Sequence, residues 1–138
     1  MGGAITAFAI DNGSLESIQR IYTHPETVTE GFESSDIHIT PDGKFLYATN
    51  RGKENNIAIF SIADNGNLNA LGYQSVFGLH PRTFAIDESG KFLIVTNVNS
   101  SNVVVFRRNL ITGLLTKVGN NISIRHVSCV QTVTYKSK

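Results

Sequence analysis

The sequence predicts an all-β fold, a β-propeller carrying about three blades' worth of chain, on three observations. Apolar residues fall in short blocks rich in Ile, Val, Phe and Thr, and none keeps a 3.6-residue period across ten positions. Turn sequences separate the blocks: "DNG" at 11–13 and 64–66, "PDG" at 41–43, "ESG" at 88–90 and "TG" at 112–113. In such turns Gly takes positive φ, and Asp or Asn bonds its own backbone. The third observation is internal repetition. "ITPDGKFLYATN" (39–50) lies over "IDESGKFLIVTN" (86–97) at an offset of 47 residues, with Gly43 on Gly90. "NNIAIFSIADNGNLNALG" (55–72) then lies over "SNVVVFRRNLITGLLTKVG" (101–119), with Phe60 on Phe106 and Gly72 on Gly119. Four-strand repeats of about 40–50 residues are the sequence sign of propeller blades.

In chain order, "AITAFAIDNGSLE" (4–16) matches the outer part of a repeat and predicts a part-blade over about 3–24. "IHIT" (37–40), "FLYATN" (45–50), "IAIFSI" (57–62) and "LGYQSVF" (71–77) supply four strands of a blade over about 35–77. "RTFAI", "KFLIVT", "NVVVFR" and "LLTKV" supply the next, over about 82–122, and "HVSCVQTV" (126–133) reads as the first strand of a closing blade over about 125–134. Complete propellers carry about 4–8 blades. Two full repeats with ragged ends leave strand edges open. The 138 residues are therefore expected to be a piece of a larger propeller, or to close by self-association that covers the open blade edges. A β-sandwich of ten short strands is the structural alternative.

Twelve Lys and Arg against eleven Asp and Glu give a formal charge of +1. That balance, without clustered arginines, predicts no nucleic-acid partner. A single cysteine, Cys129, cannot form an internal disulfide and reads as a small buried hydrophobe near the last strand. No run approaches the ~18 apolar residues of a membrane helix, and no basic stretch precedes "MGGAITAFAI". The expectation is a cytoplasmic protein without a membrane partner.

Propeller geometry brings the crossover into each blade and the loop between its second and third strands to one end of the ring. Asp36, His38 and the segment "PETVTEGFESS" (25–35), with Glu30 and Glu33, stand at or before a first strand, and Arg51 begins a second-to-third-strand loop. His80 and Arg82, in "GLHPR" (78–82), hold the same crossover position one unit later. Period 2 turns Asp36 and His38 to one side of their strand and Ile37 and Ile39 to the other. The next repeat has Ala85 for His38 and Val98 for Arg51, so the scaffold itself requires neither polar residue. Taken singly, each has an ordinary reading as well: Asp36 as a turn cap, Arg51 and Arg82 as solvated loop residues, Glu30 and Glu33 as loop acids. His24 and His80, each followed by proline, read as structural or solvent-facing.

The string "SSDIHITPDGKFLYATNRG", with "NIAIFSI", "HPRTFAIDESGKFLIVTN", "NVVVFRRNLITGLL" and "SCVQTV", resembles the C-terminal part of the lactonase family of seven-bladed propellers. That family includes the propeller-type 6-phosphogluconolactonases and the related carboxymuconate lactonizing cyclases. The likeness runs from about Gly3 to Val133. It implies seven blades in the intact protein, roughly 330 residues at this repeat length, with further site residues upstream.

The resemblance implies hydrolysis of a small phosphorylated sugar lactone and a site that includes His38, Arg51 and Arg82 with Glu30 or Glu33; joined to the positions read from the repeat, this gives His38, Arg51 and Glu33 as catalytic residues and Arg82, Asp36, Glu30 and His80 as substrate-binding ones. Histidine is the side chain that trades protons near neutrality, which suits His38 as general base, oriented by Asp36 or Glu33. The permanently charged forks of Arg51 and Arg82 suit a phosphate or carboxylate and a developing oxyanion. The scheme calls for no cofactor and no metal. The alternatives are a carboxymuconate-type cyclisation with the same arginines, and a non-catalytic propeller module that binds on the same face. The 138 residues alone are expected to show little or no activity.

Overall fold

Every residue of Phe45–Asn50 is buried, where a strand with one wet face would alternate. Sheets on both sides explain it. The computed structural model describes residues 3–135, whose ten strands form three antiparallel sheets with no helix among them. The first pairs β1 (Ala4–Asp11) with β2 (Ser14–Tyr22). The second runs in chain order through β3 (Ser34–Ile39), β4 (Phe45–Asn50), β5 (Asn56–Ile62) and β6 (Leu68–Ser75). The third does the same through β7 (Pro81–Ile86), β8 (Phe92–Asn97), β9 (Asn102–Arg108) and β10 (Leu115–Ser123). These are propeller meanders, and their innermost strands β3 and β7 lie side by side.

Period 2 divides β4 and β5 between two cores. Phe45, Tyr47, Ile57 and Ile59 pack with Phe84, Leu93, Val95, Val104 and Phe106 of the third sheet. Leu46, Ala48, Ala58 and Phe60 point the other way, toward Ile5 and Ile21 of the first. Each large side chain so buried contributes about 1.5–3 kcal/mol. Polar staples then fix the sheets to each other. Asn50 Nδ2 donates to Thr23 O at 2.6 Å, and Asn97, its repeat counterpart, donates to Val76 O at 3.2 Å.

The turns after β3 and β7 preserve one hydrogen bond while exchanging the residues that make it. Thr40 Oγ1 donates to Asp42 Oδ1 at 2.5 Å, whereas in the next repeat Ser89 Oγ donates to Asp87. Only the first arrangement turns its carboxylate toward Arg108, whose buried guanidinium bonds Asp42 Oδ2 at 3.2 Å and Gly90 O at 2.5 Å.

Residues 125–134 form no strand, contrary to the reading of "HVSCVQTV" as one. The segment does run beside β7, with Thr83 Oγ1 donating to Ser128 O and Thr132 Oγ1 to Ile86 O, each at 3.4 Å. An innermost strand takes its ladder from the next strand outward, and no described residue stands there to supply it. Cys129, expected to be buried, is exposed for the same reason.

Candidate active site

The inner strand β3 pairs with β4 on one edge and faces β7 on the other, so donors along β7's free edge need acceptors. Asp36 supplies one. Its Oδ2 accepts the Phe84 N–H at 3.0 Å, and its Oδ1 accepts the Ile37 N–H at 2.9 Å. In the following repeat Thr83 takes that position, and its hydroxyl donates to Ser128 O.

His38 lies on the same side of the strand, with Nε2 3.1 Å from Asp36 Oδ2 and its ring edge-on to Phe84 at 4.6 Å. A carboxylate already accepting two amides acts as an acceptor toward the imidazole, so Nε2 donates and the Nδ1 lone pair stays available. The His38 side chain keeps 45% of its surface accessible. It opens on a cleft of about 480 Å³ walled by Phe84, Ile86, Val130 and Thr132.

Arg51 is held rather than solvated. Its N–H donates to Glu33 O at 2.7 Å, its Nη2 to Ser35 Oγ at 2.8 Å, and its Nε to Pro81 O at 3.3 Å. Ser35 Oγ in turn donates to Arg82 O at 2.5 Å. The half-buried guanidinium thus bridges two blades, and it brings the main chain of Arg82 into the group while the Arg82 side chain is exposed.

Three other sequence-predicted residues stand apart. Glu30 meets only Lys53, at 3.9 Å, with both side chains 84% exposed. Glu33 is exposed beside Gly52, where an added Cβ would lie 3.7 Å from the carboxyl carbon. His80 has φ +60°, donates its N–H to Asn55 Oδ1 at 2.7 Å and accepts from Val98 N–H at 3.1 Å, so its main chain shapes the crossover. Among the described residues none of these three side chains is hydrogen-bonded to His38, Asp36 or the Arg51 guanidinium.

Sequence reading missed one cluster. His24 Nδ1 lies 2.8 Å from both carboxylate oxygens of Glu54, with side chains only 1% and 8% exposed. His24 is therefore structural but not solvent-facing. Its Nε2 faces Ser34 Oγ at 3.4 Å, and that hydroxyl also meets Thr23 Oγ1 at 3.3 Å. The order Glu54, His24, Ser34 has the look of a hydrolase relay. Its imidazole is 1% exposed and packs under Gly3, whose added Cβ would come within 2.6 Å of the ring, which marks the pair as structural. No local sequence signal marks this cluster; its structural counterparts in the next blade are Phe77, matched through the Asn50–Thr23 and Asn97–Val76 bonds, and Ser100, matched through the positive φ of Asn55 and Ser101.

Taken together, the group offers a proton acceptor backed by a carboxylate, a fixed cation and a free one. These are the parts that ester hydrolysis uses. Residues 1–132 match the family described as "Lactonase, 7-bladed beta-propeller". The chain is 44% identical over 137 residues to the 6-phosphogluconolactonase of Formosa agariphila, covering 98% of this chain and 38% of that protein. It is 34% identical over 120 residues to the 6-phosphogluconolactonase of Bacillus subtilis, covering 86% of this chain and 34% of that one. The periplasmic gluconolactonase of Pseudomonas aeruginosa superposes with a TM-score of 0.88 at 30% identity, over 94% of this chain and 36% of that structure. The chain thus spans between 34% and 38% of the length of these relatives.

Proposed function

The chain belongs to the seven-bladed β-propeller lactonases, and from that premise we propose that the full-length protein hydrolyses 6-phosphogluconolactone to 6-phosphogluconate. The observation that carries the reading is the His38–Asp36 contact on the inner strand, 3.1 Å long, with Nδ1 left available. His38 Nδ1 takes a proton from water as the water oxygen bonds the lactone carbonyl carbon. Asp36 holds the imidazolium that results. The bond from carbonyl carbon to ring oxygen then breaks, and His38 returns the proton to the departing alkoxide, leaving a carboxylic acid that ionises and a hydroxyl.

The two arginines divide the negative charge. Arg51, already anchored on Ser35 and Pro81, needs no reorganisation to face the developing oxyanion. Arg82, whose side chain is exposed, is suited to grip the phosphate. Glu33, on the Arg51 side of the crossover, tempers the charge there; Glu30 and His80 have no part in the step. A phosphate ester does not cross a bilayer unaided, which supports a cytoplasmic setting. No helix among the described residues is long and apolar enough to cross a membrane.

The test is lactone hydrolysis by the full-length protein, with the spontaneous rate subtracted and a carboxymuconate-type lactone run alongside. Turnover of the phosphorylated sugar lactone, lost in His38→Ala, supports the reading. Binding without turnover, or turnover of the muconate-type lactone alone, overturns it.

A further inference from the structure

Two stretches meet around Arg51: the crossover of residues 23–33 and the loop of residues 51–55. Their main chains touch through the Arg51 N–H and Glu33 O, 2.7 Å apart. Three residues past Arg51, Glu54 turns inward to the buried His24 at the start of that crossover. The loop's far end is also pinned, since Asn55 O accepts the Val76 N–H at 3.1 Å and Asn55 Nδ2 donates to Gly52 O at 2.7 Å.

We propose that His24 and Glu54 are positioning residues, whose buried pair sets the 51–55 loop so that Arg51 faces the developing oxyanion; this rests on the role given to Arg51 above. The protein contains its own control. In the next blade the equivalent loop is one residue shorter but is anchored alike at both ends, with Ser101 at φ 51° where Asn55 has φ 45°, and with Val98 N–H on His80 O where Arg51 N–H meets Glu33 O. That loop carries Val98 in place of Arg51, and Phe77 and Ser100 stand in place of His24 and Glu54. Ser100 Oγ merely accepts the Leu79 N–H at 2.8 Å and donates to Asn102 Oδ1 at 2.8 Å. The shorter loop is therefore closed without such a buried histidine–carboxylate pair. Of the two loops, the pair is found in the one that bears the arginine.

Energetics point the same way. A buried hydrogen-bonded polar pair is often no more stabilising than an apolar pair of like volume, because desolvation offsets the attraction, but it does define a geometry. Nδ1 is equidistant from both Glu54 oxygens at 2.8 Å, an arrangement that leaves the carboxylate little freedom to rotate. Gly3, at φ +55°, packs on the imidazole so closely that only a residue without Cβ fits.

The deciding variant is His24→Phe with Glu54→Ser in the full-length protein, which installs the residues the next blade uses. Amide hydrogen exchange is read at Arg51, with Val98 as the internal reference, and steady-state lactone kinetics are read alongside. The expected result is exchange about tenfold faster at the Arg51 amide alone, and kcat lowered about tenfold with KM within a factor of about three, as loss of an oxyanion contact requires. Unchanged exchange at Arg51, or exchange that rises equally at Val98, overturns the proposal. If the wild-type protein turns over no lactone, exchange alone decides, so failure of the lactonase reading and failure of this one remain distinct. If the double variant does not fold, Glu54→Gln is judged by the same two readouts.

Discussion

Asp36 in one blade accepts the N–H of Phe84 in the next at 3.0 Å, through the same oxygen that meets His38 Nε2 at 3.1 Å. One carboxylate thus joins two blades and aims the imidazole. Substitutions separate these two jobs. Asp36→Ala leaves the Phe84 amide without its acceptor and is expected to cost about 1–3 kcal/mol of stability. Asp36→Asn keeps a carbonyl acceptor for that amide, so its denaturation midpoint stays close to wild type. Its kcat nevertheless falls roughly tenfold or more, because an amide does not stabilise imidazolium as a carboxylate does. Denaturant titration beside lactone kinetics checks both; equal losses of stability and activity in the two variants contradict the division.

Acid is expected to loosen the blade turns first. Burial pushes the Asp42 carboxyl up, but hydrogen bonds from the Thr40 hydroxyl, the Lys44 amide and Arg108 together hold it below its ordinary 3.8. At Asp87 burial is likewise outweighed, by the Ser89 hydroxyl and by the amides of Phe92, Ser89 and Lys91. A carboxyl with a lowered folded pKa binds its proton less readily than in the unfolded chain. The stability it contributes is complete above the unfolded value and is lost as pH falls through the folded one. Thermal midpoints measured downward from pH 5 should decline below about pH 4, and less so in Asp42→Asn. A flat profile there counts against the assignment.

Tyr47 should be the last tyrosine to ionise. Its hydroxyl donates to Gly113 O at 2.6 Å inside the core, and burial pushes its pKa to about 12. Ultraviolet titration of the wild type against Tyr47→Phe identifies the step, which should be missing from the variant. Tyr47→Phe also leaves Gly113 O unpaired, at a cost of about 1–3 kcal/mol. Gly113→Ala should cost more, since φ is +73° and a Cβ would overlap the Phe45 ring. A Gly113→Ala midpoint equal to wild type contradicts that packing.

Much of this was legible in the residues. The repeat exposed the blade pattern because turn and core positions recur: Gly43 with Gly90, Asn50 with Asn97. It also singled out His38 and Arg51, since Ala85 and Val98 show what the scaffold alone accepts. The anchors of Arg51 were not legible, because Ser35 and Pro81 reach it through folding rather than through neighbouring sequence. His24 and Glu54 stand 30 positions apart, and no local pattern joins a crossover histidine to a loop glutamate. Strand propensity in "HVSCVQTV" misled for the converse reason: a β-rich segment becomes a strand only when a ladder partner is present.

The most direct measurement is kcat for 6-phosphogluconolactone in full-length wild type and His38→Ala, corrected for spontaneous opening. Removing a positioned general base is expected to lower kcat by about 10²–10⁴-fold while KM changes little, because Arg82, assigned to the phosphate, remains. A His38→Ala variant that turns over the lactone at the wild-type rate would contradict the assignment of His38 as the base.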